Sequence, residues 1–419
     1  MRIGARLSGR VVRGVLTDGH RVLRQSTAEG ARALHTVLRE LGEPAPRRVC
    51  SVTLEVSDLL VEAVRHPRAD LSVTPVSVLR VLPRTPQHVA LTDHPSATLR
   101  SFVLHRATVC GGHDLFGTPL APLDVASAVE AAREARRHGL GAISVVATGA
   151  VGAPGHERAL AKAIQSAVPD MRVSLSHEVG GIGLLVRETA AVLNAALMSA
   201  VGRLVDRSQR AMRQLGDVPC WFATGDGGRV SAERLRALPV LALEAKWATT
   251  LLGAAVLNGR DNATIVVEDG ATCTIGEVRD GLAHVAADRQ GSLGVRLAAP
   301  QPVLTVTGVK EFRSWPERWL RGSPDDSPVI VRNGDLDLAS VGAACCEPTS
   351  WVDHVVYAGS TDELRQQQRV TEDRARGMVA TSDVPPGSER IVESSATALA
   401  YVRAGTYRLR VRAAAGGRR

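Results

Sequence analysis

Between Val173 and Leu197 a polar segment (Ser174, Ser176, His177, Glu178) passes through Gly180, Gly181 and Gly183 into an amphipathic stretch. There Leu185, Ala190, Val192 and Leu193 alternate with Arg187, Glu188 and Asn194. Strand end, glycine turn and helix start bring a cluster of polar side chains to one spot. What precedes it has the same rhythm: a helix from Asp124 to His138 ended by Gly139, a strand from Ala142 to Ala147, and a helix from Glu157 to Val168. This β-α-β-α alternation predicts an α/β domain with a mixed sheet. Helical sequence from Ala195 to Leu215 and a strand from Cys220 to Thr224 follow.

Two hairpins flank this centre. Arg2 to Leu16 reads as two strands around Ser8-Gly9, closed by Thr17-Asp18-Gly19; Ala263 to Val278 reads likewise around Asp269-Gly270. Between the first hairpin and the centre, the spacing predicts a helix from Thr27 to Leu41, and a valine-rich strand runs from Ser72 to Val81.

At 419 residues the chain exceeds one core, and two or three domains are expected. The net charge of +8 raises nucleic-acid binding, but its cations are nearly all arginines spread along the chain. Lysine stands only at Lys162, Lys246 and Lys310, and 3% aromatic content supplies no stacking platform, so nucleic acid is not an expected partner. No apolar run approaches the ~20 residues that a membrane span needs, so no membrane association is expected. The start MRIGARLSGR lacks an apolar leader and the six cysteines have no regular spacing, which places the chain in a reducing cytoplasm. His105, Cys110 and His113 do not have a zinc spacing, and no metal site is expected from them.

Ser176-His177-Glu178, with Arg187, Glu188 and Asn194-Ala195, resembles the signatures of the hydantoinase A and oxoprolinase family, whose members open cyclic amides or carboxylate ketones with ATP. Ala191 stands where threonine is usual. The resemblance implies an α/β fold of two actin-like halves, as in the acetate kinase, sugar kinase and heat-shock superfamily, around a cleft. It divides the chain into an N-terminal segment (1–82), a central domain (83–281), a shortened linker region (282–328) and a closing subdomain (329–419). It implies ATP and Mg²⁺ as cofactors and a second hydantoinase-type subunit as partner. Carried over residue by residue, His177, Glu178, Arg187, Glu188 and Asn194 become candidate catalytic residues lining the cleft. Ser8, Gly9, Arg10 and Thr53 would hold nucleotide with Glu268, Asp269, Gly270 and Thr272. Asn333-Gly334 stands where a glycine triplet is usual, and Tyr401 falls in the family's terminal segment.

Several positions depart from that pattern. Arg6, Arg10 and Arg13 replace an aspartate, a threonine and a second aspartate of the first phosphate hairpin. In the strand-to-helix motif over Val52 to Asp58 only Thr53 matches. In the second hairpin an ungapped overlay puts Val267 where the first acid belongs, while a one-residue slip puts Glu268 there. A carboxylate would position Mg²⁺ or an attacking water; arginine does neither. Three functions are therefore in play. One is ATP-dependent opening of a cyclic amide of hydantoin or 5-oxoproline type, with turnover weak or lost. Another is a non-catalytic relative that binds a partner or small anion. The last is a nucleotide-independent enzyme using His177 and Glu178 as acid and base.

Overall fold

The computed structural model describes all residues except 44–48, 67–70, 85–93, 95, 315–327, 333, 335, 383, 401 and 417–419, so Asn333 and Tyr401 lie outside the described residues. Three antiparallel strands open the chain: β1 (Arg2–Ser8), β2 (Val11–Asp18) and β3 (Arg21–Glu29). Helix α1 (Ala33–Gly42) leads to β4 (Ser51–Glu55), which lies parallel to β1 with Arg6 opposite Glu55, and α2 (Ser57–Arg65) follows. The end of β3, from Thr27 to Glu29, takes the residues assigned above to the start of a helix. It is a largely exposed edge strand, so neither face carries the apolar alternation that would mark it.

A second, all-parallel sheet is inserted next. It comprises β5 (Val76–Leu82), β6 (Val103–Cys110), β7 (Ala142–Ala147) and β8 (Arg172–Leu175) in the order β6-β5-β7-β8, with α3 (Ala97–Arg100), α4 (Val125–Arg137) and α5 (Gly155–Ala167) in the connections. Asp124 caps α4 by accepting the Ser127 amide at 3.0 Å. Helix α6 (Leu184–Gln214) is continuous, and its buried residues join one core with the first sheet and one face of the inserted sheet. By length and composition its Leu184–Arg213 portion could cross a membrane, against the expectation that no such stretch exists. With 72% of that apolar window buried, however, it is a core helix.

The chain then returns to the first sheet. β9 (Cys220–Ala223) pairs parallel to β4 and β10 (Arg229–Ser231) antiparallel to β9, giving the order β10-β9-β4-β1-β2-β3. Helices α7 (Ala232–Ala237) and α8 (Ala245–Leu257) lead to the second hairpin, β11 (Ala263–Asp269) and β12 (Thr272–Arg279). Five two-residue strands, β13 to β17, lie within 282–302; β18 (Thr305–Gly308) pairs with β12, and α9 (Val309–Arg313) follows. β19 (Val329–Arg332) lies parallel to β11 as β4 lies to β1, and α10 (Leu338–Cys345) packs on both α8 and the first sheet. A Cβ on Gly4 would collide with the backbone of Ser340 and Ala344, and one on Gly342 with that of Thr249, so glycine is required for β1, α10 and α8 to stack this closely. β20 (Thr349–Tyr357), β21 (Glu389–Ala398) and β22 (Thr406–Ala415) form a final antiparallel sheet against α11 (Thr361–Ala380).

These sheets cut across the segment boundaries expected from the sequence. β5, inside 1–82, belongs to the inserted sheet, and β11 and β12, inside 83–281, belong with β19.

Candidate functional site

Alternation along β1 sends Arg6 and Leu7 to opposite faces of the first sheet. Leu7 joins the core, whereas Arg6 faces α10 and the start of α2. Its guanidinium lies 3.2 Å from Asp58, at the start of α2, and 2.9 Å from Asp337, the N-cap of α10. Lys246, in the first turn of α8, reaches Asp58 at 3.4 Å. The Arg6 amide donates to Ser340 Oγ at 3.2 Å, and the Ser340 amide donates to Asp337 at 3.0 Å. One arginine thus ties the first sheet to carboxylates contributed from both sides of the molecule.

Beside this network a cavity of about 360 Å³ opens between α2 and α8, lined by Ser57, Asp58, Arg65, Glu244, Lys246 and Ser292 among others. Glu55, at the end of β4, is fully buried behind it. Its Oε1 accepts the Ser57 amide at 2.7 Å and hydroxyl at 2.5 Å, while Oε2 has no partner. Burial outweighs those bonds and pushes the carboxyl up to about 7. Ser57 Oγ also accepts the Lys246 amide at 3.1 Å. Glu244 takes a left-handed conformation, φ 64°, and its Oε1 accepts the Ser292 amide at 2.7 Å. A non-glycine residue held in this region costs about 1–3 kcal/mol, which the Ser292 contacts offset.

The hairpin turns have the same geometry. Ser8 pairs with Val11 and Asp269 with Thr272, leaving two-residue turns, Gly9-Arg10 and Gly270-Ala271, whose glycines have φ of 58° and 60°. Counted from the turns, Val267 in the second hairpin occupies the position that Arg6 occupies in the first. Val267 is packed in the core with Ala248 and Leu251 of α8. Glu268 projects from the other face toward Arg332 at 3.2 Å and Arg313 at 3.8 Å. Asp269, Gly270 and Thr272 are exposed, and Thr53 is buried on β4 opposite Gly4. Ser8 ends β1, and Gly9 and Arg10 are exposed at the turn.

The remaining predicted residues gather elsewhere, at the carboxyl end of the inserted parallel sheet. Glu157, entirely buried, accepts the Ala147 amide at 2.8 Å, Ser176 Oγ at 2.6 Å and the His177 amide at 3.0 Å, and lies 2.7 Å from His177 Nδ1. Arg187 donates to Ser176 Oγ, to the Ile182 carbonyl at 2.8 Å and to the Ala147 carbonyl at 2.6 Å. Glu188 forms a buried two-pronged pair with Arg80 at 2.7 and 2.9 Å. Asn194 bonds Ser174 Oγ, the Ala237 carbonyl and the Val240 amide. His177 and Arg187 are thus brought together, Glu188 and Asn194 hold α6 to its neighbours, and Glu178 stands apart and exposed. Arg187, Glu188 and Asn194 do not line the cavity between α2 and α8, because each is committed to fixed partners within the inserted domain and its surroundings. The partner of His177 is Glu157 rather than its neighbour in sequence, since the 3-10 turn over Ser176–Glu178 separates the two side chains.

Mg²⁺ requires hard oxygen ligands. At the first hairpin Asp58 and Asp337 face a guanidinium, the second hairpin presents Val267, and the described residues contain no group of three or more His, Cys, Asp or Glu able to hold a metal ion. The residues present do not fit a metal-bound nucleotide of the kind the resemblance implies. Sequence reasoning missed Glu55, Asp337 and Glu157. Lys246 carried a signal, being one of three lysines in an arginine-rich chain.

Residues 187–306 match the family model described as hydantoinase/oxoprolinase. Among solved structures, the ATP-dependent caprolactamase from Pseudomonas jessenii is similar over 100% of this chain and 88% of that one, at 14% identity and a TM-score of 0.73. The nucleotide-free acetone carboxylase is similar over 99% of this chain and 87% of that one, at 10% identity and a TM-score of 0.65. At such identities the likeness establishes the fold, two actin-like halves. No curated protein sequence matches the chain.

Proposed function

We propose that this chain, whose residues 187–306 match the hydantoinase/oxoprolinase model, belongs to that family, that the ancestral reaction was ATP-dependent opening of a cyclic amide, and that this chain keeps the architecture while metal-dependent turnover is weak or lost. The observation that carries the reading is Arg6 between Asp58 and Asp337. Phosphoryl transfer needs carboxylates free to hold a metal, and here a fixed cation neutralises them. Each charge-assisted contact contributes about 1.5–3 kcal/mol, so the arrangement is a stable alternative to a bound metal. The remaining role is binding: of a small anion, or of a second hydantoinase-type subunit that performs the chemistry. We place the chain in a reducing cytoplasm, where its cysteines need form no disulfide, and among the described residues they form none.

The test is phosphate release from ATP with Mg²⁺ and hydantoin or 5-oxoproline, for the natural chain and for an Arg6→Asp, Arg10→Thr, Arg13→Asp variant. The natural chain is expected to show no metal-dependent release and no Mg²⁺-dependent shift in melting temperature. The variant, with Asp58 and Asp337 released, is expected to gain such a shift. Robust metal-dependent turnover by the natural chain overturns the proposal.

A further inference from the structure

A second, larger cavity of about 880 Å³ lies on the opposite face of the first sheet from Arg6. Leu7 and Val12, paired across β1 and β2, form its floor with Leu59, Leu71, Leu204 and Ala211. Leu7, Val12, Leu71, Leu204 and Ala211 also belong to the main core, so the floor is fixed by packing and the space is largely preformed. Four exposed arginines stand at its rim: Arg10 on the first turn, Arg32 before α1, and Arg207 and Arg210 one turn apart on α6. None has a carboxylate within salt-bridge distance among the described residues. The lining contains a single acid, Glu62, against these four cations and His35.

We infer that this cavity is a binding site for an organic anion with an aliphatic body, a medium-chain carboxylate or an acyl group bearing an anionic head. Small-molecule sites are concave, mostly apolar, and of about 300–1,000 Å³, with a few polar groups that fix orientation. Here the apolar floor takes the chain, while the arginines take the carboxylate, their planar donors matching its two oxygens. Four cations, with Asp206 near Arg210 and Glu62 in the lining as the acids beside them, leave the rim of a greasy depression positive on balance, the complement of such a ligand, and repel an amine of the same shape. The size of the hollow favours this occupant over a protein segment, for which a longer, shallower groove is the fit. The inference does not depend on how Arg6 is read.

The experiment is calorimetric titration of the full chain with decanoate, below its micellar concentration, beside hexanoate, decanol and decylamine. Saturable one-site binding is expected for decanoate. Affinity should rise about three- to fourfold per added methylene from hexanoate, the increment of a buried CH₂ group. Decanol should bind at least tenfold more weakly than decanoate, and decylamine not at all. An Arg207→Glu, Arg210→Glu variant, altered only at exposed positions, should lose decanoate binding while its melting temperature without ligand stays close to that of the natural chain. Arg32→Gln should weaken binding less. Equal affinity for decanoate and decanol, no dependence on chain length, or full binding by the double variant overturns the inference. So does a sedimentation result in which a second copy of the chain fills the site and decanoate does not compete.

Discussion

The two hairpins have one backbone and opposite chemistry. β1–β2 and β11–β12 both close on a two-residue turn with glycine at φ near 60°, and both have a parallel strand, β4 or β19, beside the first arm. At the matching position the first presents Arg6, held by two carboxylates, and the second presents Val267, packed under α8. Their parallel neighbours differ as well: Arg6 lies opposite buried Glu55, and Val267 opposite Val331. Register and turn geometry are therefore the same in the two hairpins although the side chains at the matching position differ. The first half presents a cation with partners at this position, and the second packs the position into its core.

The sharpest way to break the comparison is to restore an acid in the second half. Val267→Asp buries a carboxylate among apolar groups and should cost about 4 kcal/mol or more, read as a loss in urea midpoint. A small loss would mean that the position opens to water and that the hairpins are closer in function than in packing. Next comes Glu55→Gln. The carboxyl titrates at about 7 in the folded chain against an ordinary 4.5, so the folded state holds the proton more tightly. The stability associated with that proton is fully present below pH 4.5 and is lost as pH rises through 7. This group alone lowers stability by about 3 kcal/mol across that window. The glutamine variant should be the more stable form at pH 8 and should lack this part of the decline, as measured by denaturant unfolding at several pH values. A natural chain that gains stability relative to the variant over that window would contradict the assignment. The smallest effect belongs to Arg332→Ala opposite Glu268. Arg332 is 80% exposed, so removing the pair should cost under about 1 kcal/mol and be sensitive to salt.

Much of this was legible in the residues. Gly9 and Gly270 mark both turns, Asp124 and Gly139 bracket a helix, and the apolar run Ala142 to Ala147 is a buried strand. Local chemistry of this kind is written within a few positions. The Arg6 network is not, because Arg6 and Asp58 are 52 residues apart and only the fold brings Asp337 to them. Glu157 gave no sign either: an acid in the first turn of a helix ordinarily faces water, and here the end of a parallel sheet closes over it. The final three-stranded sheet was hidden because β21 is half-buried to exposed throughout and carries polar residues on both faces.

The interrupted first sheet sets an order of events during synthesis. β4 has its partner β1 from the start, yet its other edge is completed by β9, and between them lies the entire inserted parallel sheet. A ribosome emerging the chain from its amino end exposes that bare edge for the whole time the insert is being made, and α10, which packs on β1 beside Gly4, arrives later still. The insert has its strands contiguous and can close first, whereas the amino-terminal strands wait as an unfinished edge, the state most open to capture by another chain or by a chaperone.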